Sequence, residues 1–417
     1  MKQILPRDYF DGEFCLPGDK SITHRAIMFN SGADGEAVVT GALMGEDCLS
    51  TCRCMRALGA EIDVDGTTLR IKGTPQFRSG AELDCGNSGT TIRLLTGFCA
   101  GKEIEAKLYG DASLSTRPMR RVADPLTELG ANVETTDGHA PVYVSSAKLT
   151  GKKIKTKVSS AQVKSAILLA GLSADGTTTV EEPVKSRDHT ERLLAAMGAD
   201  IRVEGNSVSV SKSTLKGVDV EVPVDISSAA YFMALGALKG SALCKNVGVN
   251  PTRTGILTAF DKMGVRYTLQ NRRVSGGEEI ADVLVQKSPL QAITLGGAEI
   301  PSMIDELPLV AMMCAFADGE SVITGAKELR VKESDRIFTT AKLINDLGGE
   351  CEEREDGLVI RGKKCLRGGV ADSFLDHRIA MTAAVGLMAS KEGGGVLRPD
   401  CCAISFPTFF KQLERKN

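Results

Sequence analysis

The sequence predicts an α/β protein of two domains, each built from three copies of one repeated unit arranged with pseudo-threefold symmetry. Three observations predict it. A helix-like stretch of small and apolar residues recurs six times, at residues 22–32, 90–100, 163–174, 229–238, 307–317 and 379–389. A glycine stands in or just beyond the end of each stretch, at 35, 101, 176, 240, 319 and 393, at intervals of 66, 75, 64, 79 and 74 residues. A second, amphipathic helix ending in Leu-Gly or Met-Gly runs in step with the first, its glycines at 59, 130, 198, 264 and 348.

Each element has a local reason. Such a unit cannot bury its own apolar face, so neighbouring copies must cover one another. The period exceeds that of the common solenoids, which favours two closed groups of three over a long array. Glycine stops a helix because it tolerates the left-handed conformation. The residues after each Leu-Gly alternate, as in Ala60-Glu-Ile-Asp-Val64, which reads as a half-buried strand. The sixth copy runs out of chain: residues 409–415 supply a helix and no strand follows. Residues 2–5 form a short apolar segment that can close it. The expected division is therefore 19–223 for the first domain, and 1–18 with 224–417 for the second. Pro-Gly and Pro-Val at 17–18 and 223–224 mark two short crossovers, which would let the domains close on a ligand.

Composition excludes several classes. The 417 residues carry 42% hydrophobic and 25% charged side chains, as in an ordinary globular protein. A net charge of −2 gives no pull toward nucleic acid or an anionic membrane, and 4% aromatics with no Trp provide no base-stacking platform. No apolar run reaches the ~18 residues of a membrane span. The N-terminus lacks a signal-peptide core. A cytoplasmic protein is expected, its twelve cysteines reduced and many of them buried. Cys48, Cys52 and Cys54, and the adjacent Cys401 and Cys402, lack the spacing of a zinc site.

The small-residue helices open with polar and charged residues. Helix N-termini carry unpaired N–H groups and partial positive charge, so a cluster of them favours phosphates and carboxylates. The first opens with Asp19-Lys-Ser-Ile-Thr-His-Arg25, the second with Gly86-Asn-Ser-Gly-Thr-Thr-Ile-Arg93, the third with Ser159-Ser-Ala-Gln162. The fifth opens with Ile304-Asp-Glu306 and the sixth with Asp376-His-Arg378. The Ser, Asp and Asn residues read equally as N-caps. Lys20, Arg25, Arg93 and Arg378 do not, because a cation there opposes the dipole unless an anion sits beside it. More cations follow the intervening strands, in Ser115-Thr-Arg-Pro-Met-Arg-Arg121, Lys185-Ser-Arg-Asp-His189 and Leu329-Arg-Val-Lys-Glu-Ser-Asp-Arg336. Each alone reads as a solvated face; the shared position in the repeat points to a common site. Among these cations lie Asp305, Glu306, Glu333, Asp335 and Asp376. Ion pairing would depress their pKa values, and bound phosphates would raise them.

At these segments the chain resembles the EPSP synthase family of enolpyruvyl transferases, nearly end to end. Gly86-Asn-Ser-Gly-Thr90 and Arg330-Val-Lys-Glu-Ser-Asp-Arg336 carry the resemblance most specifically, with Gly110-Asp-Ala-Ser-Leu-Ser-Thr-Arg-Pro-Met119 and Ser160-Ala-Gln-Val-Lys-Ser165 beside them. The resemblance implies the two-domain enolpyruvyl transferase fold, three βαβαββ units per domain. It implies transfer of the enolpyruvyl group of phosphoenolpyruvate to the 5-hydroxyl of shikimate 3-phosphate, with no metal or organic cofactor. Lys20, Ser21, Arg25, Ser160, Ala161, Gln162, Ser186, Arg187, Asp305 and Lys332 would contact shikimate 3-phosphate. Lys20, Asn87, Gly89, Arg117, Gln162, Arg336 and Arg378 would hold phosphoenolpyruvate. Asp305 would act as base and Glu333 as acid, with Lys20 assisting. The expected partners are these two substrates alone, with no nucleic acid and no membrane, and the expected state is a monomer. Gly89 matches the pattern of members sensitive to glyphosate. One departure stands out: some members carry a lysine before the C-terminal Ser/Thr-Phe-Pro, where this chain has Ile404.

Two rivals remain on the same scaffold. A UDP-N-acetylglucosamine enolpyruvyl transferase would carry a reactive cysteine in the loop matching residues 111–119, which contain none. A non-catalytic anion binder would not need Asp305, Glu333, Arg336 and Arg378 together.

Overall fold

The computed structural model describes residues 1–74 and 76–415. The chain divides into two compact units. One comprises Gly18–Val222 with Val274–Glu278; the other comprises Met1–Pro17, Pro223–Arg273 and Glu279–Asn417. They are called the 18–222 and 223–417 units below. Each has its own hydrophobic core.

The six small-residue stretches are helices: Lys20–Ser31, Gly89–Gly101, Ala161–Gly171, Ile226–Lys239, Leu307–Ala315 and His377–Ala389. Every residue of the last two is buried. A helix apolar all round has no solvent face and belongs inside. Small residues set how close these helices come. A Cβ on Gly97 would lie 2.1 Å from the carbonyl oxygen of Ala166, so Gly89–Gly101 and Ala161–Gly171 meet almost backbone to backbone. Gly97→Ala must push the two helices apart. We expect it to cost about 1–3 kcal/mol or more, read as a lower urea midpoint at unchanged slope.

The amphipathic helices follow at Glu46–Ala57, Arg120–Glu128, His189–Ala196, Gly255–Met263, Arg336–Asp346 and Phe409–Leu413. After the first five come Gly59, Gly130, Gly198, Gly264 and Gly348, all at positive φ. Glycine takes that conformation without steric cost, and the chain reverses into the next strand.

One unit shows the common sheet. Ala81–Asp84 lies parallel to Ala106–Tyr109, which pairs antiparallel with His139–Ser145, and Asn132–Thr136 forms the far edge. The last two strands are a hairpin whose turn residues, Asp137 and Gly138, both have positive φ, the type I′ requirement. Among the described residues six such sheets occur, five of four strands and one of three. The three-stranded sheet is the sixth unit, Gly369–Asp372 parallel to Gly394–Leu397, with Lys2–Ile4 antiparallel to the latter. The N-terminal segment thus closes the last unit, as its apolar pattern suggested. It takes the place of the inner hairpin strand, not of the edge strand that directly follows the amphipathic helix elsewhere.

A second rearrangement is not visible in the repeat. Glu13–Phe14 precedes the first small-residue helix but pairs with Ser241–Gly248 of the fourth unit. The first unit takes Val220–Glu221 instead, parallel to Glu36–Thr40. Each group of three is thereby closed by a segment from the far end of its own compact unit.

Among the described residues no helix is long and apolar enough to cross a membrane. All twelve cysteines are unpaired, most of them buried.

Candidate active site

In the 18–222 unit, three small-residue helices begin at capped N-termini. Asp19 accepts the N–H of Ile22 (2.9 Å), Ser88 that of Thr91 (3.1 Å) and Ser160 that of Val163 (3.5 Å). The capping reading therefore holds for these side chains; the Ser160 hydroxyl, which accepts in its cap, still has its own proton to donate.

Those N-termini are linked. Gln162 accepts from Arg93 (2.5 Å) and donates to Thr90 (2.9 Å), joining the first turns of Gly89–Gly101 and Ala161–Gly171. Arg25 is buried and donates to Ser165 (2.9 Å), Thr190 (2.7 Å) and the carbonyl oxygen of Ser21 (2.9 Å). Burial lowers its pKa to about 10, with Glu191 and Asp19 acting in the opposite direction. Lys20 pairs with Asp47 at 3.2 Å. Ser21, Ala161 and Arg187 are half-buried. Ser186 gives both its N–H (3.2 Å) and its hydroxyl (2.9 Å) to Glu182.

Two guanidinium groups flank Gly89. A Cβ there would lie 3.2 Å from Nη1 of Arg117 and 3.4 Å from Nη1 of Arg93. Asn87 accepts from Arg117 (2.7 Å) and donates to Asp111 (2.8 Å), which orients the guanidinium. Burial, then repulsion by Arg121 and Arg117, lowers the pKa of Arg93 to about 10, and its Nε is buried without a hydrogen-bond partner. Like charges held together beside a bare glycine backbone suit an anion.

In the 223–417 unit the cations meet carboxylates instead. Arg336, 1% exposed, opens the helix Arg336–Asp346 and donates to Asp376 (2.8 Å), Asp305 (3.2 Å) and Glu333 (2.6 Å). Burial alone would lower its pKa, but Glu333, Asp376 and Asp305 outweigh burial and hold it above the usual arginine value. Asp376 also caps His377–Ala389 through the N–H of Arg378 (2.8 Å). Burial pushes the Asp376 carboxyl up, Arg336 pulls it down, and the net shift is downward. Lys332 stands 3.8 Å from Asp305. Arg378 is buried and donates to the carbonyl oxygen of Ser227 (3.3 Å). Burial opposes its charge, and Tyr231, Asp305 and Asp225 favour it. Arg330, by contrast, ties Asp335 and Glu353 together near the surface. The run 329–336 thus splits into a structural arginine and a buried one.

The structure brings Asp305, Lys332, Glu333 and Arg336 into one cluster, with Arg378 near Asp305. It brings Asn87, Gly89 and Arg117 into a second, and Arg25 with Ser21 into a third. The sequence reading missed Asp47, Ser165 and Thr190, which hold Lys20 and Arg25, because polar residues inside helices give no local sign of distant partners. It also missed Lys164, although a lone lysine inside an apolar helix is itself a signal. Ile404, at the position of the missing lysine, ends the 3₁₀ turn Pro399–Ile404 and is half-buried. Among the described residues, no group of three or more His, Cys, Asp or Glu side chains could hold a metal ion.

Three histidines are buried, His24, His189 and His377, and burial shifts two of them strongly. Burial lowers both His24 and His377 to about 3, against about 6.5 in the unfolded chain. The neutral imidazoles therefore favour folding fully above pH 6.5, and that contribution is lost as pH falls toward 3. At pH 5 the loss is about 2 kcal/mol per histidine. Thermal melts should show the midpoint dropping between pH 7 and pH 5, and less so in His24→Gln; a flat wild-type profile would contradict this.

Comparison with known proteins agrees with the geometry. The family model described as EPSP synthase (3-phosphoshikimate 1-carboxyvinyltransferase) matches residues 5–413. The 3-phosphoshikimate 1-carboxyvinyltransferase of Desulforudis audaxviator is 49% identical, over 99% of this chain and 98% of its own length. That of Gloeobacter violaceus is 45% identical, over 99% and 98%. The EPSP synthase structure from Acinetobacter baumannii superposes with a TM-score of 0.92 at 41% identity, covering 99% of this chain and 97% of that one. The enolpyruvyl transferase NikO of Streptomyces tendae, at 19% identity and a TM-score of 0.80 over 99% and 96%, shares the fold. The chain belongs to the EPSP synthase (3-phosphoshikimate 1-carboxyvinyltransferase) family.

Proposed function

We infer that this protein transfers the enolpyruvyl group of phosphoenolpyruvate to the 5-hydroxyl of shikimate 3-phosphate, releasing phosphate. The observation that carries the chemistry is that Asp305 and Glu333 share one buried guanidinium, that of Arg336. Asp305 accepts the 5-hydroxyl proton as the oxygen attacks C2 of phosphoenolpyruvate. Glu333 delivers a proton to the methylene carbon. The tetrahedral intermediate then expels phosphate, which takes the proton held by Asp305, while the methyl group returns a proton to Glu333, and this forms the vinyl ether of the product. Arg336 holds the two carboxylates side by side through its hydrogen bonds to both.

In this reading Lys20, Ser21, Arg25, Ser160, Ala161, Gln162, Ser186 and Arg187 bind shikimate 3-phosphate, with Asp305 and Lys332 at its hydroxyls. Lys20, Asn87, Gly89, Arg117, Gln162, Arg336 and Arg378 bind phosphoenolpyruvate. The two guanidinium groups flanking Gly89 support the second assignment. The two compact units are then the two enolpyruvyl transferase domains, and a cytoplasmic monomer is the proposed state.

The test is phosphate release from phosphoenolpyruvate with shikimate 3-phosphate or UDP-N-acetylglucosamine offered separately. Release with the shikimate ester alone is expected; release with the sugar nucleotide alone would overturn the acceptor. Glyphosate is proposed to compete with phosphoenolpyruvate. Gly89→Ala should relieve that inhibition, because its methyl would enter the space between Arg93 and Arg117. Inhibition unchanged in Gly89→Ala would sink this point.

A further inference from the structure

Lys164 is the one charged residue of the helix Ala161–Gly171, and its side chain is 1% exposed. A buried ammonium is costly unless every N–H finds an acceptor. Two carboxylates pair with it, Glu182 at 3.0 Å and Glu191 at 2.7 Å, and it donates to the carbonyl oxygen of Ser186 at 3.4 Å. Glu182 also accepts the N–H and the hydroxyl of Ser186. Ser186 is therefore clamped from both sides, its N–H and side chain by a carboxylate and its carbonyl by the ammonium. That carbonyl belongs to the peptide leading into Arg187.

The other arm of the cluster leads to Arg25. Glu191 directly follows Thr190, and Ser165 directly follows Lys164. Thr190 and Ser165 bond each other at 2.6 Å and both accept from the Arg25 guanidinium. Glu191 is also the main charge offsetting the burial of Arg25. Well-packed apolar side chains generally stabilise a core as well as a buried ion cluster does. Two carboxylates and an ammonium here do something a core does not require: they brace the buried Arg25 and the half-buried Arg187.

We propose that Lys164 is a positioning residue for substrate, which with Glu182 and Glu191 holds Ser186, Arg187 and Arg25 in the geometry that receives the phosphate of shikimate 3-phosphate. This rests on the assignment of those three residues to that substrate, made above.

The test compares full-length wild type, Lys164→Met and Arg187→Ala by calorimetric titration with shikimate 3-phosphate and by steady-state kinetics. Lys164→Met should weaken shikimate 3-phosphate binding by about tenfold or more, the loss of one hydrogen bond to a charged group. The KM for phosphoenolpyruvate at saturating shikimate 3-phosphate should change by less than about twofold, and kcat should hold. A merely structural lysine would instead move kcat and both KM values together, and that pattern overturns the proposal. Should Lys164→Met fail to fold, Lys164→Met combined with Glu182→Gln and Glu191→Gln removes the uncompensated charges. That triple variant should fold and still bind shikimate 3-phosphate weakly; wild-type affinity from it overturns the proposal. Arg187→Ala separates the two levels. If it leaves affinity unchanged, the substrate assignment fails and the proposal falls with it. If it weakens binding while Lys164→Met does not, only the role of Lys164 fails.

Discussion

Glu333→Gln should leave a folded protein that binds both substrates and turns over about 10²–10⁴ times more slowly, the range a positioned general acid supplies. The amide keeps the shape of the side chain and can still accept from Arg336, so the packing survives. It has no proton to deliver to the methylene carbon. The loss should fall on kcat, with the KM values little altered, because the missing interaction belongs to the transition state. Asp305→Asn should behave alike for the complementary reason: it cannot take the 5-hydroxyl proton. Near-normal turnover in Glu333→Gln would remove Glu333 from the chemistry and return the acid's role to another group.

Arg336→Met carries the largest expected cost in stability. The guanidinium is almost wholly buried and faces Asp305, Glu333 and Asp376. Removing one partner from a buried ion cluster costs about 3–5 kcal/mol, because the remaining charges are left uncompensated. Turnover should be abolished as well, since phosphoenolpyruvate loses a cation and the two reacting carboxylates repel. The pH dependence has a definite sign. Arg336 is the favourable charge on Asp376, which is held below its usual range. Without it the folded pKa of Asp376 rises, so the variant's deficit is large at pH 7 and shrinks as pH falls through that raised value. Asp376→Asn added to Arg336→Met should recover part of the loss at pH 7. Denaturant melts of the single and double variants at two pH values read all of this. A single variant as stable as wild type at pH 7 would show that the cluster is solvated in solution.

Much of the fold is written locally. The Leu-Gly and Met-Gly steps end helices because glycine alone takes positive φ at no cost, and Gly59, Gly130, Gly198, Gly264 and Gly348 all do so. Beyond their first turns the small-residue helices are mostly apolar, and that face is covered by neighbouring helices. Charge and position in the repeat also marked Arg25, Arg117, Arg336 and Arg378 before any coordinates. Capping was equally readable, and the structure assigns that role to Asp19, Ser88, Ser160 and Asp376.

The remainder depends on residues far apart in the chain. Glu13–Phe14 and Val220–Glu221 join sheets other than those their order suggests. A two-residue strand has almost no propensity of its own, so only the free edge it meets decides where it pairs. The partners of the buried cations are likewise distant: Arg25 with Thr190, Lys164 with Glu191, Arg336 with Asp376. A sequence marks a cation, but its counter-charge is chosen by which helices pack together. Periodicity and glycine placement determined the repeated unit and its six helix N-termini by themselves, because those are properties of a few consecutive residues. Tertiary packing alone decided how the rings of units close and which carboxylate sits on which guanidinium, because burial in a shared low-dielectric core is a property of several segments at once.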